Sequence, residues 1–188
     1  MRRFIFLTIV LAVLMTGCSD NSVNSVNSVL ELRQQIQNSR GYEFDASITA
    51  DYADELYEFD MHCWDDNSGK LYFEVLSPES IAGICGYIEG EGGYLTFEDK
   101  VLAFPLMADQ QLSPVSAPWV FMKALRGGYI RAAGSVDGDM KVIINDTYEE
   151  DALQVDVWIN TNNLPHFAEI LWGGRRILSV EVASFQFL

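Results

Sequence analysis

Apolar and polar residues alternate with a period of two along most of this chain, and this alternation constrains the fold more than any other feature. From Tyr42 to Tyr52 every second residue is aromatic or aliphatic, and the residues between them are acidic or hydroxylated. The pattern recurs over residues 57–64 and 71–75, on either side of the turn sequence Asp65–Gly69. Such alternation predicts strands with one apolar and one wet face, here in an antiparallel meander.

Further strands are predicted around residues 84–88, 94–98, 101–104, 129–136, 140–147, 153–159, 167–172 and 177–187. Only two segments favour helix. The first opens at Ser28 on a Ser-Val-Leu-Glu capping-box pattern, and the second covers Ala117 to Arg126. The predicted fold class is therefore mainly β (α+β): a single curved antiparallel sheet, or incomplete β-barrel, covering about two helices.

The two predicted helices differ in how their apolar residues are spaced. In the first, Val29, Leu32 and Ile36 fall on one face, and polar residues such as Arg33 and Gln37 are expected to face water. The second is apolar nearly all round. Such a coating indicates a helix that is buried or that plugs a cavity.

The amino terminus has the layout of an export signal. Arg2 and Arg3 precede an apolar run over residues 4–15, which is too short to span a bilayer. The following Leu14-Met15-Thr16-Gly17-Cys18 resembles the lipobox of bacterial lipoproteins, with Met15 where Leu is usual. The resemblance implies a signal peptide over 1–17, diacylglycerol on Cys18 and a lipid-anchored protein on the extracytoplasmic face of the cell membrane. An ordinary cleaved signal with a chance cysteine is the alternative.

Residues 18–28, which repeat Asn-Ser-Val, are predicted to form the lipidated cysteine and a flexible tether, ahead of one domain over 29–188. Without Arg2 and Arg3 the chain keeps 10 basic against 27 acidic residues, a formal charge near −17. Nucleic acid and a flat contact with anionic lipid both require basic patches, so neither is expected as a partner. A basic protein or peptide is compatible with this charge.

Nothing in the chain has the pattern of a catalytic or metal site. His62 and His166 are the only histidines, and both are expected at the surface. No nucleophile elbow or zinc-binding His-Glu-x-x-His motif occurs. We therefore predict no enzyme activity, no cofactor and no metal. Cys63 and Cys85 lie in predicted strands, and both a disulfide and two separate buried thiols fit their positions.

The order of elements also resembles a known superfamily. A first helix leads into a Tyr/Phe-rich meander, the Pro-containing turn Ser77 to Ile84, an apolar mid-chain helix and the closing hairpin from Asn163 to Val180. This order resembles the LolA/LolB-like superfamily of lipoprotein carriers, especially the GerS-type germination lipoproteins of Gram-positive bacteria. The resemblance implies an incomplete barrel whose concave apolar face is covered by helices and receives acyl chains. No arginine of the soluble carriers has a matching position here.

Two functional hypotheses follow. In the first, the concave face binds or handles lipid or lipoprotein acyl chains in the cell envelope. In the second, a non-catalytic interaction protein acts through its outer face or sheet edge on another envelope protein or on a second copy, as a homodimer. The side chains predicted to line a hydrophobic pocket, which would otherwise pack as a dry core, are Tyr42, Phe44, Ile48, Tyr57, Phe59, Met61, Phe73, Trp119, Phe121 and Met122.

Overall fold

The computed structural model describes residues 20–52, 55–108, 111–149 and 152–188. The predicted signal peptide 1–17 and the predicted lipidation site Cys18 lie outside these ranges. Helix α1 spans Asp20–Asn38 and helix α2 spans Ala117–Gly127, preceded by a short 3-10 turn at Pro114–Ser116. In the part of the chain that is described, neither helix is both long and apolar enough to cross a membrane.

Eleven of the described strands form one antiparallel sheet, and a separate two-stranded hairpin lies between β6 and α2. Along the sheet the strand order is β6-β5-β4-β3-β2-β1-β13-β12-β11-β10-β9. The first six strands are β1 Tyr42–Asp51, β2 Leu56–Asp65, β3 Leu71–Ser77, β4 Cys85–Glu89, β5 Gly92–Phe97 and β6 Lys100–Pro105. The hairpin comprises β7 Met107–Ala108 and β8 Gln111–Leu112. The last five are β9 Tyr129–Val136, β10 Asp139–Asn145, β11 Gln154–Ile159, β12 Pro165–Trp172 and β13 Arg175–Phe187.

The alternation seen in the sequence becomes the division between the two faces of this sheet. In β1, Tyr42, Phe44 and Ile48 are each 1% exposed, whereas the residues between them are partly or fully exposed. Strand β1 is central because it pairs with β2 on one side and with β13 on the other. The first and last strands of the row, β6 and β9, do not pair with each other, so the sheet stays open. The predicted mainly β architecture is confirmed.

Helix α2 lies inside the curve of the sheet. Eight of its residues are buried, among them Phe121, Met122 and Leu125. The Phe121 ring meets the Phe44 ring of β1 edge-to-face, with centroids 6.2 Å apart. The helix is thus one wall of the core, which explains why its sequence is apolar on nearly every side.

The prediction of a flexible tether over 18–28 is wrong for residues 20–28, because α1 begins at Asp20 and not near Ser28. Val29 is 1% exposed and Val26 is partly buried. The valines of the Asn-Ser-Val repeat are spaced three apart, a spacing that one helix face accommodates. The helix as a whole packs against β9, and tertiary contacts of this kind stabilise helices whose intrinsic propensity is low.

The structure contradicts a disulfide between Cys63 and Cys85, since both thiols are free. Cys63 is opposite Phe73 on β3, and Phe73 is opposite Gly86 on β4. Cys85, the neighbour of Gly86, is therefore two strands from Cys63 and points to the other face of the sheet. Two strand spacings of about 4.8 Å exceed the Cα separation that a disulfide tolerates.

Candidate functional site: a cleft beside the central helix

Nine of the ten side chains predicted to line a pocket are buried, from Phe121 at 0% exposure to Phe59 at 9%. Their rings contact each other or neighbouring rings, as when Phe44 stacks on Phe185 at 5.7 Å between centroids. The tenth, Tyr57, is 46% exposed, and its predicted place in the pocket is wrong. It lies near the start of β2, beyond Asp60, where the pairing between β2 and β3 ends. Tyr57 therefore has β1 beside it on one side and no residue of β3 on the other.

A cleft of about 260 Å³ lies on the other side of α2, and none of the ten predicted residues lines it. Its walls come from one side of α2, the segment that carries β7 and β8, and the chain between β10 and β11. The apolar walls are Leu106, Leu112, Val120, Ala124 and Leu153. No sequence pattern indicated this site, because β7 and β8 are only two residues long each and leave no periodic signal.

Charged groups stand at the rim of this cleft. The Lys123 ammonium is 3.2 Å from the Glu91 carboxylate, and both side chains are at least half exposed. Oxygen Oδ1 of Asp146 is buried and accepts no hydrogen bond from the part of the chain that is described. An apolar cavity with a few polar groups at its mouth is the usual composition of a small-ligand site.

Arg33 of α1 holds the carboxyl-terminal end of α2, which forms one wall of the cleft. Its Nε donates to the Leu125 carbonyl at 2.7 Å, and its Nη2 donates to the carbonyls of Gly128 at 2.9 Å and Ala124 at 3.3 Å. The last carbonyls of a helix lack amide partners further along it, although that of Ala124 also accepts from the Gly128 amide, and a cation there complements the helix dipole. Burial lowers the pKa of Arg33 from its ordinary value, although an arginine remains charged.

Arg33 and Gln37 were predicted to face water. Gln37 is exposed, as predicted, whereas Arg33 is partly buried and its guanidinium bonds to the end of α2. Gln37 donates to the Arg126 carbonyl at 2.9 Å, next to the carbonyls that Arg33 binds. Their spacing of four residues on α1 puts both side chains on one helix face, and that face meets α2. The spacing was visible in the sequence, but the partner was not, because it lies about 90 residues away.

A buried ion pair fixes the same end of α2 from the sheet side. Arg126 Nη1 is 3.0 Å from Oδ2 of Asp65, a carboxylate with no exposure. The Tyr42 hydroxyl donates to the same oxygen at 3.1 Å. Burial, followed by the charge of Asp65, raises the pKa of Tyr42 far above its ordinary value. The end of α2 beside the cleft is therefore held by α1 and by β2 together.

The two histidines bond to carboxylates at the sheet surface. His62 Nδ1 is 2.7 Å from Asp45 Oδ1, and His166 Nε2 is 2.9 Å from Asp139 Oδ2. His62 also stacks on Trp64, with ring centroids 5.5 Å apart. Within residues 20–52, 55–108, 111–149 and 152–188, no three histidine, cysteine or acidic side chains come together in a way that could hold a metal ion.

Solved structures of low sequence identity superpose on most of this chain. An uncharacterized conserved protein from Thermus thermophilus superposes with a TM-score of 0.50 at 12% identity, over 87% of this chain and 88% of that one. A LolA superfamily protein from Nitrosomonas europaea superposes with a TM-score of 0.46 at 11% identity, over 90% of this chain and 94% of that one. A chain of the complex between the CwlD amidase and the GerS lipoprotein of Clostridioides difficile superposes with a TM-score of 0.45 at 13% identity. The match covers 92% of this chain and 100% of that one.

No protein-family profile and no curated protein matches this sequence. The architecture is nevertheless the predicted one. Eleven antiparallel strands form a single sheet that remains open, and the two helices cover its concave face. The structure from Thermus thermophilus, with its TM-score of 0.50, is similar to this chain in fold.

Proposed function

We propose that this protein is an envelope lipoprotein, anchored through Cys18, whose domain accepts an acyl chain of a lipid or lipoprotein in the cleft beside α2. The observation that carries the proposal is the composition of that cleft. Leu106, Leu112 and Val120 provide an apolar wall, and each is at most 6% exposed. Lys123 at the rim provides a cation beside which an acidic headgroup or a carboxylate can lie.

The size of the cleft limits what it accepts. A volume of about 260 Å³ lies just below the roughly 300–1,000 Å³ typical of small-molecule sites. We therefore expect one acyl chain to enter the cleft with its polar end in solvent. A larger ligand would require the end of α2 to move, against the hydrogen bonds of Arg33 and the buried ion pair of Arg126.

Uptake of a fluorescent fatty acid tests this proposal. The chain without its signal peptide and with Cys18→Ser would be titrated with a dansyl-labelled fatty acid, whose emission rises in an apolar site. Val120→Phe places a larger side chain in the cleft and should weaken uptake about tenfold or more, the equivalent of about 1.4 kcal/mol. Val101→Phe is the matched control because Val101 is 66% exposed on β6, away from the cleft.

Native mass spectrometry of the purified protein provides a second measurement. A bound acyl lipid in the unchanged chain, reduced in Val120→Phe, supports the proposal. Circular dichroism and thermal melting would show whether Val120→Phe keeps its fold. Equal uptake by a folded Val120→Phe and by the control would contradict an acyl site in this cleft.

A second candidate function is a protein–protein contact through the edge strand β6. Four of its six residues in a row, Lys100 to Ala103, are exposed, and Val101 and Leu102 are 66% and 56% exposed. An apolar edge strand can pair with a strand of another chain, including a second copy. Light scattering after size exclusion would then show a dimer that Val101→Asp dissociates. Val136→Asp on the opposite edge strand β9 should leave it intact.

A further inference from the structure

The outer face of the sheet carries a row of aromatic rings that no part of the proposed acyl site uses. Trp64 on β2 is directly opposite Tyr72 on β3, Tyr72 is opposite Tyr87 on β4, and Tyr87 is opposite Tyr94 on β5. Successive ring centroids are 5.7, 6.0 and 5.4 Å apart. We name these four side chains the aromatic row. It crosses three strand spacings, about 14 Å, and each ring is partly or fully exposed.

The aromatic row already holds one ammonium group of the chain itself. Lys70 Nζ lies 4.4 Å from the centroid of the Tyr87 ring and 3.5 Å from a carboxylate oxygen of Glu89. A cation over a ring with a carboxylate beside it is a favourable arrangement. The described part of the chain places no cation over Trp64, Tyr72 or Tyr94. Within the described residues, three rings of the row therefore have no lysine or arginine over them, although His62 stacks on Trp64.

Carboxylates flank two of these rings, Trp64 and Tyr72, on the same face. Glu43 of β1 is directly opposite Trp64. Glu74 is two residues beyond Tyr72 on β3, which puts both side chains on one face, and it is exposed. The whole chain has a formal net charge of −15. The potential at this face therefore favours a cationic partner and disfavours nucleic acid, whose bases also stack on aromatic rings.

We propose that the aromatic row and its flanking carboxylates bind an extended, arginine- or lysine-rich segment of another protein. Alternate side chains of an extended segment lie about 6.6–7 Å apart on one face, close to the ring spacing of the row. A segment with a basic residue at every second position would thus place each cation over a successive ring. Guanidinium groups suit the site best because they stack on aromatic faces and pair with carboxylates.

Fluorescence anisotropy with a defined probe tests this inference. The probe is a fluorescein-labelled peptide with four arginines at alternate positions, separated by serine, and the protein is the chain with Cys18→Ser. We expect saturable binding at about 0.1 M salt that is strongly weakened at about 1 M, where the Debye length falls from about 10 Å to about 3 Å. Glu74→Gln and Tyr94→Ala should each weaken binding about two- to fivefold.

Matched controls separate this surface from general attraction to an acidic protein. Glu149→Gln removes the same charge, and Tyr148→Ala the same ring, at exposed positions outside the outer face of β2–β5. Neither control should change the affinity by more than the error of the measurement. Trp64→Phe keeps a ring in the row and should bind almost as the unchanged protein does.

Three results would overturn the inference. The first is equal weakening by Glu74→Gln and Glu149→Gln, which would mean diffuse charge attraction. The second is that Tyr94→Ala and a folded Trp64→Ala each bind the probe as tightly as the unchanged protein does. The third is no binding of the arginine probe while a neutral oligosaccharide such as chitotetraose binds, which would make the row a sugar platform. None of these results bears on fatty-acid uptake, so the proposed function is tested separately.

Discussion

Arg33→Met should lower the free energy of unfolding by about 2 kcal/mol, because Arg33 satisfies the carbonyls at the end of α2. The carbonyl of Ala124 also accepts from the Gly128 amide at 2.8 Å, so it keeps a partner without Arg33. The bonds that matter are those to Leu125 at 2.7 Å and to Gly128 at 2.9 Å. Methionine keeps much of the aliphatic length of arginine and removes the donors.

The magnitude follows from these two bonds. A hydrogen bond from a charged group contributes about 1.5–3 kcal/mol when well buried. Arg33 is only partly buried, so solvent screening reduces this to about 1 kcal/mol for each bond. For a domain of this size, a loss of about 2 kcal/mol corresponds to a fall in Tm of about 4–8 °C. The loss for Arg33→Lys should lie between zero and the loss for Arg33→Met, since one ammonium cannot reach both carbonyls in the planar geometry of a guanidinium.

Urea denaturation followed by circular dichroism, together with thermal melting, measures this loss. Arg40→Met is the matched control because Arg40 is exposed and lies just beyond the end of α1. Its effect should stay within about 0.5 kcal/mol. If Arg33→Met cost no more than Arg40→Met, the hydrogen bonds between α1 and α2 would not stabilise the fold, and the role given to Arg33 would be refuted.

Three further outcomes are expected. Gly86→Ala should lower the free energy of unfolding, measured by urea denaturation, by about 2 kcal/mol or more, because a Cβ there would lie 2.0 Å from a backbone oxygen of β5. Gly134→Ala is the control and should lower it far less, because the space around Gly134 is open. A thiol reagent should label exposed Cys85 and spare Cys63, whose pKa is raised by burial, until guanidinium unfolds the chain; a resistant pair would mean a disulfide. The Ser47 and Ser77 hydroxyls donate to Asp60 and hold its pKa below the ordinary value. These bonds therefore stabilise the folded protein at a pH above the ordinary pKa of an aspartate. The stabilisation is lost as the pH falls through the pKa of Asp60 in the folded state. Ser77→Ala should raise this pKa in an NMR carboxyl titration, and an unchanged titration would contradict the assignment.

The predicted strands were found because their signal is local. In β1 the residues that alternate in the sequence alternate in burial, and the DDNSG and Asp137-Gly138 turns lie where the sequence indicated. The predictions that failed depend on distant parts of the chain. Tyr57 has the right spacing for a core position, but β3 ends before it can be covered. The segment from Asp20 to Ser28 has poor helix propensity, yet it continues a helix that packs as a whole against β9.

The sequence by itself determined the class of this protein: an acidic, mostly β domain with one buried helix and, from its first 18 residues, the expectation of a lipid anchor. Period-two alternation and turn residues suffice for this because each acts within a few positions. Only the tertiary structure decided where a ligand could enter. The predicted pocket is filled by rings such as Phe44 and Phe121 packing on each other, and the open space lies instead between α2 and the hairpin that follows β6. Packing determines whether an apolar face becomes core or cavity, and packing depends on side chains from segments that no local pattern brings together.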